Sequence, residues 1–343
     1  MVLFLRKLNL WVIFFTLIAY IAPYVSPQTM SFLIYVGLAY PWLLLLNLIF
    51  IFLWSASRMR YWWYSLVCVI LGWGHLTAII GLNFFQEKLK SPIKIMTYNL
   101  GYTQIEGKKL KNLSNFIENQ NCDIICLQEF CGSVSDLNYQ AQRVIALSKY
   151  PYKVWGVHSL NAIFSKYPIL KADTLSFEPQ NLTNGCLYVD LQLNDKIVRL
   201  YDAHLQSNKV TGLTTEIADQ TDYENEEAWM KIYTLLKRVR LASQHRARQS
   251  EKIAAHIATS PYPVILCGDF NDIPVSYTYR IISNNLRDTY KDSGLGFAKT
   301  YAGNIPALKI DFILTDKKIK SANTEILDVP FSDHYPTISY LSF

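Results

Sequence analysis

Charge is nearly missing from the first ninety residues of this 343-residue chain, where only Arg6, Lys7, Arg58, Arg60, Glu87, Lys88 and Lys90 interrupt long apolar and aromatic runs. A soluble domain needs a charged outer surface, so this stretch reads as membrane-embedded. The remainder lacks a surplus of either sign. Six of the 33 lysines and arginines fall in the first ninety residues, against one of the 27 acids, which leaves the rest near neutral. The absence of a basic surplus counts against a domain built to hold a long polyanion, whose non-specific affinity is electrostatic. Cysteine is also sparse. Cys68, Cys122, Cys126, Cys131, Cys186 and Cys267 form no CxxC pair and no zinc spacing with histidine, and they read as reduced, mostly buried thiols. Internal repeats and low-complexity tracts are absent.

What the first ninety residues do contain is three stretches of about the 20 apolar residues a crossing needs: Leu8 to Val25, Phe32 to Trp54 and Trp62 to Phe85. Arg6 and Lys7 precede the first, and Arg58 and Arg60 lie between the second and third, whereas Ser26 to Ser31 carries no charge. The positive-inside rule then expects a cytoplasmic N-terminus, a multi-pass anchor and an extracytoplasmic C-terminal domain. Lys88 and Lys90 pull the other way. The expected division is a three-helix anchor over residues 1–90 and a catalytic domain over 91–343.

From Ile93 onward, β-branched runs alternate with helical patterns, which predicts an α/β architecture. Strands are expected at 93–99, 123–129, near 186–193, at 197–204, 264–269, 310–315 and 337–341; helices at Lys108 to Asn119, Asn225 to Thr259 and Ser276 to Asn284. An acidic run from Asn208 to Glu227 precedes a basic one from Lys231 to Lys252. It reads as a solvated loop or as a lid beside an active centre.

Polar residues repeatedly terminate the apolar runs: Asn99, Glu129, His204, and Asp269 with Asn271. In an α/β sheet, groups at carboxyl strand ends converge on one crevice. One such residue alone would be a turn former; several with complementary chemistry suggest phosphoryl transfer, which needs a hard cation, a base for water, and donors for the developing charge. Glu129 is the natural ligand for magnesium, which prefers oxygen donors. His334 follows Asp333, and a histidine oriented by a carboxylate, for which Asp311 is the candidate, makes an effective base.

The ordered set TYN at 97–99, QE at 128–129, HLQS at 204–207, GDFND at 268–272, KIDFIL at 309–314 and SDH at 332–334 resembles the endonuclease/exonuclease/phosphatase superfamily. The resemblance covers residues 93–343. It implies an α/β, four-layer α/β/β/α sandwich of two mixed sheets, here preceded by three transmembrane helices, and magnesium-dependent attack of water on a phosphoester, with manganese as the other candidate ion. It further implies Glu129 as principal metal ligand with Asn99 and Asp333 near the ion. His334 paired with Asp311 becomes base or transition-state partner, Asp269 orients or deprotonates water, Asn271 donates to a phosphoryl oxygen, and His204 stabilises developing charge. Whether Asp269 or His334 takes the proton stays open.

HLQS is similar to the motif of sphingomyelinases, deoxyribonucleases and tyrosyl-DNA phosphodiesterases, while apurinic-site endonucleases carry a tyrosine motif there. KID at 309–311 departs from the more usual RID and lacks the guanidinium fork. Arg246, Arg248 and Gln249 read as a solvated helix face or as phosphate contacts. The expected partners are the bilayer and a phosphoester, a lipid or small molecule ahead of DNA; no protein partner is implied. A catalytically silent binding module is disfavoured by the intact polar set.

Overall fold

The computed structural model describes residues 1–101, 107–130, 144–156, 159–178, 183–209, 226–303 and 308–343. Cys131 and residues 210–225 of the acidic run lie outside them. The chain divides into two compact units, Met1–Trp73 with Gln206–Glu251 and Val275–Ile281, and Gly74–Leu205 with Lys252–Pro274 and Ile282–Phe343.

In the first unit, helix α1 (Val2–Ile21) continues through a short turn to Tyr24 and is long and apolar enough to cross a membrane. The other two expected spans are broken. The second is split into α2 (Phe32–Leu38) and α3 (Tyr40–Ala56), bent by 51°. Pro41 at the start of α3 lacks the N–H that a continuous helix would use. The third is split at Gly72 into α4 (Trp62–Leu71) and α5 (Trp73–Ile79), glycine being a poor helix former. It does not reach Phe85 as a helix, because Ile80–Leu82 is strand β1. One helix, and not three, is therefore an unbroken candidate. The helices are joined by buried polar contacts: Asn9 Nδ2 donates to Ser65 Oγ (2.7 Å), Trp54 Nε1 to Asn9 Oδ1 (3.0 Å) and Asn47 Nδ2 to Thr16 Oγ1 (2.9 Å). Such bonds join helices where hydrophobicity alone cannot.

Among its described residues, the second unit is built mainly on two six-stranded mixed sheets. One has β2 (Ile93–Asn99), β3 (Ile124–Gln128), β4 (Tyr152–Trp155), β5 (Ala162–Ser165), β13 (Lys320–Ile326) and β14 (Thr337–Ser342), in the order β13-β14-β2-β3-β5-β4. The other has β6 (Ile169–Leu175), β7 (Gly185–Leu193), β8 (Lys196–His204), β9 (Val264–Asp269), β10 (Leu286–Asp288) and β12 (Asp311–Asp316), in the order β10-β12-β9-β8-β7-β6. β2 with β3, and β8 with β9, run parallel. Ile95, Ile124, Cys126 and Ile163 of one sheet and Val189, Leu200, Ile265, Cys267 and Ile313 of the other form one buried cluster. The opposite side chains of β2 and β3, Met96, Tyr98, Ile125 and Leu127, cluster with Leu113 and Ile117 of helix α6 (Gly107–Gln120) and with Leu147 of α7 (Ile145–Ser148). Strand alternation thus fills two layers at once. At the C-terminal end of the long helix α8 (Glu226–Ala258), His256 lies against Tyr188 and Tyr201 of the second sheet.

The seven strands expected from sequence are all interior ones. The edges β4, β6, β10 and β13 escaped because one side of an edge strand faces solvent and carries polar residues, as KSANTEI does at 320–326. Asp311 opens β12, with β13 and β14 following it in the chain.

Candidate active site

Strand register brings three of the expected residues into one row. On β8, β9 and β12, His204 pairs with Asp269 and Asp311 pairs with Asp269. Parallel pairing puts the carboxyl ends of β8 and β9 together, and antiparallel β12 contributes its beginning to the same end. From the other sheet, Asn99 closes β2 and its Nδ2 donates to Asp269 Oδ2 at 2.9 Å. Glu129 follows β3 and His334 precedes β14.

Asp269 is the hub. Its Oδ1 accepts from the Asn271 backbone N–H (2.7 Å), and its Oδ2 accepts from Asn271 Nδ2 (3.1 Å). His204 Nε2 and His334 Nε2 each lie 3.8 Å from Asp269 Oδ2. Asn271 also donates to the Leu205 carbonyl at 3.1 Å. Burial, then repulsion from Asp311, raise the Asp269 carboxyl to about 6, while His334 and His204 hold it down. His334 Nδ1 is 3.0 Å from Asp311 Oδ2, and the Asp311 backbone N–H donates to Thr300 Oγ1 at 3.0 Å. Burial disfavours the His334 imidazolium, but the charges of Asp311 and Asp269 outweigh it and lift the ring to about 10. Tyr301 packs edge-on to that ring at 5.4 Å. His204 is also raised: burial opposes its charge, but Glu129, whose Oε1 is 3.1 Å from Nε2, prevails.

Both Glu129 (φ 49°) and Asn271 (φ 51°) occupy the left-handed region. Asparagine tolerates this; for a glutamate it is uncommon, and such strain concentrates at functional sites. Asp333 accepts a hydrogen bond from Ser332 Oγ at 3.3 Å, and its backbone carbonyl accepts from the Ala302 N–H at 2.7 Å. Asp269, Asp311 and His334 present potential ligand atoms all within 4.8 Å of one another. This trio is not the Asn99, Glu129 and Asp333 set expected from sequence. Within the trio, His334 already commits Nδ1 to Asp311, which leaves Nε2 as its remaining ring nitrogen.

Sequence reasoning missed a buried polar cluster beside this centre. Asp202, two residues before His204, accepts at Oδ1 from Gln128 Nε2 (2.6 Å), and its backbone carbonyl accepts from Asn161 Nδ2 (3.2 Å). Gln128 Nε2 also donates to Thr97 Oγ1 at 3.1 Å. The DAH spacing was a signal, since alternation puts residues 202 and 204 on one face. Burial raises Asp202 to about 8, against the hydrogen bonds from Gln128 and Asn161. A carboxyl raised on folding contributes its full stability below the ordinary carboxylate range and loses it as pH rises through about 8. Asp202→Asn keeps an acceptor for Gln128 and removes that cost, on the order of a few kcal/mol. Thermal unfolding is expected to show the variant stabilised relative to the parent at pH 8 and much less so at pH 5; equal shifts at both would refute this.

Lys309, which stands where arginine is more usual, is buried with Nζ 2.6 Å from Asp288 Oδ2 and over the rings of Tyr290 and Phe312. It braces the sheet edge near β10. Arg246 and Gln249 are buried and not solvated: Arg246 Nη1 donates to the Gln206 carbonyl and Asn208 Oδ1, both 2.9 Å, and Gln249 Oε1 accepts from the Gln206 N–H at 2.9 Å. Arg248 is exposed.

Two stacked mixed sheets with a carboxylate, amide and histidine cluster at one end define an α/β sandwich with a candidate catalytic centre. Residues 96–334 match the Endonuclease/Exonuclease/phosphatase family, and the chain belongs to it. Residues 2–79 match a separate family described as a domain of unknown function (DUF8431). No curated protein matches the chain. Among solved structures, an endonuclease/exonuclease/phosphatase from Bacteroides vulgatus is similar at 20% identity, over 74% of this chain and 99% of that one, with a TM-score of 0.53. D. rerio TDP2 complexed with a single-strand DNA product is similar at 15% identity (74% and 100% covered, TM-score 0.52), and the human Nocturnin catalytic domain with bound sulfate at 17% (76% and 97%, TM-score 0.52). At such identities these likenesses show the fold.

Proposed function

We propose that this chain is a membrane-anchored, divalent-metal-dependent phosphoester hydrolase, with Asp269 as the base and His334 as a cationic partner of the transition state. The observation that carries this is the hub at Asp269, whose Oδ2 stands 3.8 Å from both histidines while Asn99 and Asn271 fix its orientation. With a carboxyl at about 6 and an imidazole at about 10, Asp269 is ionised and His334 protonated at neutral pH. Those are the states that a water-activating base and a charge-stabilising donor require. These directions support Asp269, rather than His334, as the group that takes the proton. Glu129 and Asp269 favour the charged form of His204 on the other side of the hub, and Asn271, whose amide hydrogens go to Asp269 and the Leu205 carbonyl, orients the base.

The oxygen donors Glu129, Asn99 and Asp333 suit a hard ion, magnesium first and manganese second. When bound, the ion supplies Lewis-acid polarisation of a phosphoryl oxygen. Residues 1–90 form the anchor region and 91–343 the catalytic domain, with the N-terminus cytoplasmic and the catalytic domain outside by the positive-inside rule. Near-neutral charge and membrane proximity favour a lipid or small phosphoester over DNA.

The purified full chain in detergent is expected to hydrolyse bis(p-nitrophenyl) phosphate, to stop with EDTA and to recover with magnesium; turnover that EDTA leaves untouched would sink the metal assignment. A panel of phospholipid against duplex DNA separates substrates, and steep inhibition by salt with a preference for DNA would overturn the lipid reading. The rate is expected to fall as pH drops through about 6, where Asp269 becomes protonated. A rate independent of pH between 5 and 7 would exclude Asp269 as the base.

A further inference from the structure

The segment that follows α5 has its polarity turned inside out. Strand β1 (Ile80–Leu82) pairs antiparallel with β11 (Leu295–Phe297), with Ile80 opposite Phe297 and Leu82 opposite Leu295. Opposed residues share a face, so these four apolar side chains stand on one side of the ribbon. Gly81, on the other side, has no room for a side chain, since a Cβ would sit 2.4 Å from the Gly294 carbonyl oxygen. Beyond the strand, the polar side chains turn inward. Asn83 Nδ2 donates to the carbonyls of Lys291 and Gly294, both 3.0 Å, and Gln86 donates to the Ser293 carbonyl (3.0 Å) and accepts from the Asn323 N–H (2.9 Å). These bonds satisfy carbonyls at the end of the short helix Thr289–Ser293.

The apolar neighbours turn outward instead: Phe84 is 71% exposed, Phe85 96% and Phe297 70%. Of the large hydrophobics exposed on the second unit among the described residues, only Tyr152 and Leu170 lie elsewhere. Single exposed hydrophobics are ordinary, whereas a contiguous cluster marks an interaction surface. Two features identify the occupant. Ile80 continues directly from the apolar stretch Trp62–Ile79, and the exposed Lys88 and Lys90 follow Phe85 within five residues. Aromatic and aliphatic side chains beside an apolar helical stretch, with lysines next to them, match the boundary between acyl chains and phosphate headgroups.

We propose that the β1–β11 ribbon, with Phe84 and Phe85, is a membrane-interface foot, seated in the headgroup boundary of the bilayer and holding the catalytic sandwich against the lipid surface. This rests on the anchored reading above. The test uses the full chain with Cys131→Ser, the other cysteines being buried. It carries Phe85→Cys or Phe297→Cys labelled with an NBD fluorophore, in phosphatidylcholine and phosphatidylglycerol vesicles. Phe52→Cys in α3 reports the anchor, and Leu170→Cys on β6 reports a water-facing part of the sandwich. Labels at 85 and 297 are expected to emit to the blue and be quenched by shallow nitroxide lipids and hardly by aqueous iodide, while 170 shows the reverse. Quenching by iodide at 85 and 297 with lipid quenching kept at 52 overturns the foot and spares the anchor. Iodide quenching at 52 as well overturns both. Blue emission at 85 and 297 without lipid quenching means a second protein copy covers the ribbon, and overturns the foot.

Discussion

His334→Ala is expected to lower kcat by about 10²- to 10⁴-fold, the usual worth of a positioned acid or base, with a much smaller change in KM. The imidazolium is held 3.8 Å from Asp269 Oδ2 and 3.0 Å from Asp311 Oδ2, so it does two things at once. On the mechanism proposed above it offers a positive charge to the developing phosphorane, and its charge holds the Asp269 carboxyl down against burial and Asp311. The substitution should therefore also move the acid limb of the pH profile upward from about 6. Asp311→Asn should reproduce much of the loss, and the double variant should cost little more than either alone, because the pair acts as a unit. Losses that multiply independently, or an unmoved acid limb, would contradict the coupling. Removing His334 also leaves a buried carboxylate without its partner, so thermal unfolding must be measured beside the kinetics.

Gly268→Ala is expected to be the most disruptive single-methyl change in the sandwich, costing on the order of 3 kcal/mol or more. Its φ of +136° belongs to glycine, and a Cβ would lie 1.9 Å from the carbonyl oxygen of Ala203, its register partner on β8. That oxygen is backbone and cannot swing aside. The same close approach sets Asp269 level with His204, so any relief of the clash pulls the hub away from one histidine. Denaturant or thermal unfolding of the variant decides the matter. A variant unfolding within a few degrees of the parent would show that the strands separate cheaply.

The fold was legible in the longer strands buried on both faces, while the four-residue β5, also buried on both, is too short to stand out. Runs such as IICLQ and VILCGD allow little else, and a polar residue at the end of each pointed to the candidate site. The edge strands were not legible, since their polar faces imitate loops. Nor were the breaks at Pro41 and Gly72, because apolar composition reports length and not straightness.

Asn99, Glu129, His204, Asp269, Asn271, Asp311 and His334 could be selected from sequence because residue chemistry and its place after an apolar run are local properties. Protonation states, the Lys309–Asp288 pair, the buried Asp202 cluster and the outward turn of Phe84, Phe85 and Phe297 could not. Each depends on which charges, carbonyls or solvent lie across a register or beside a neighbouring element, and only the packed tertiary structure sets those distances.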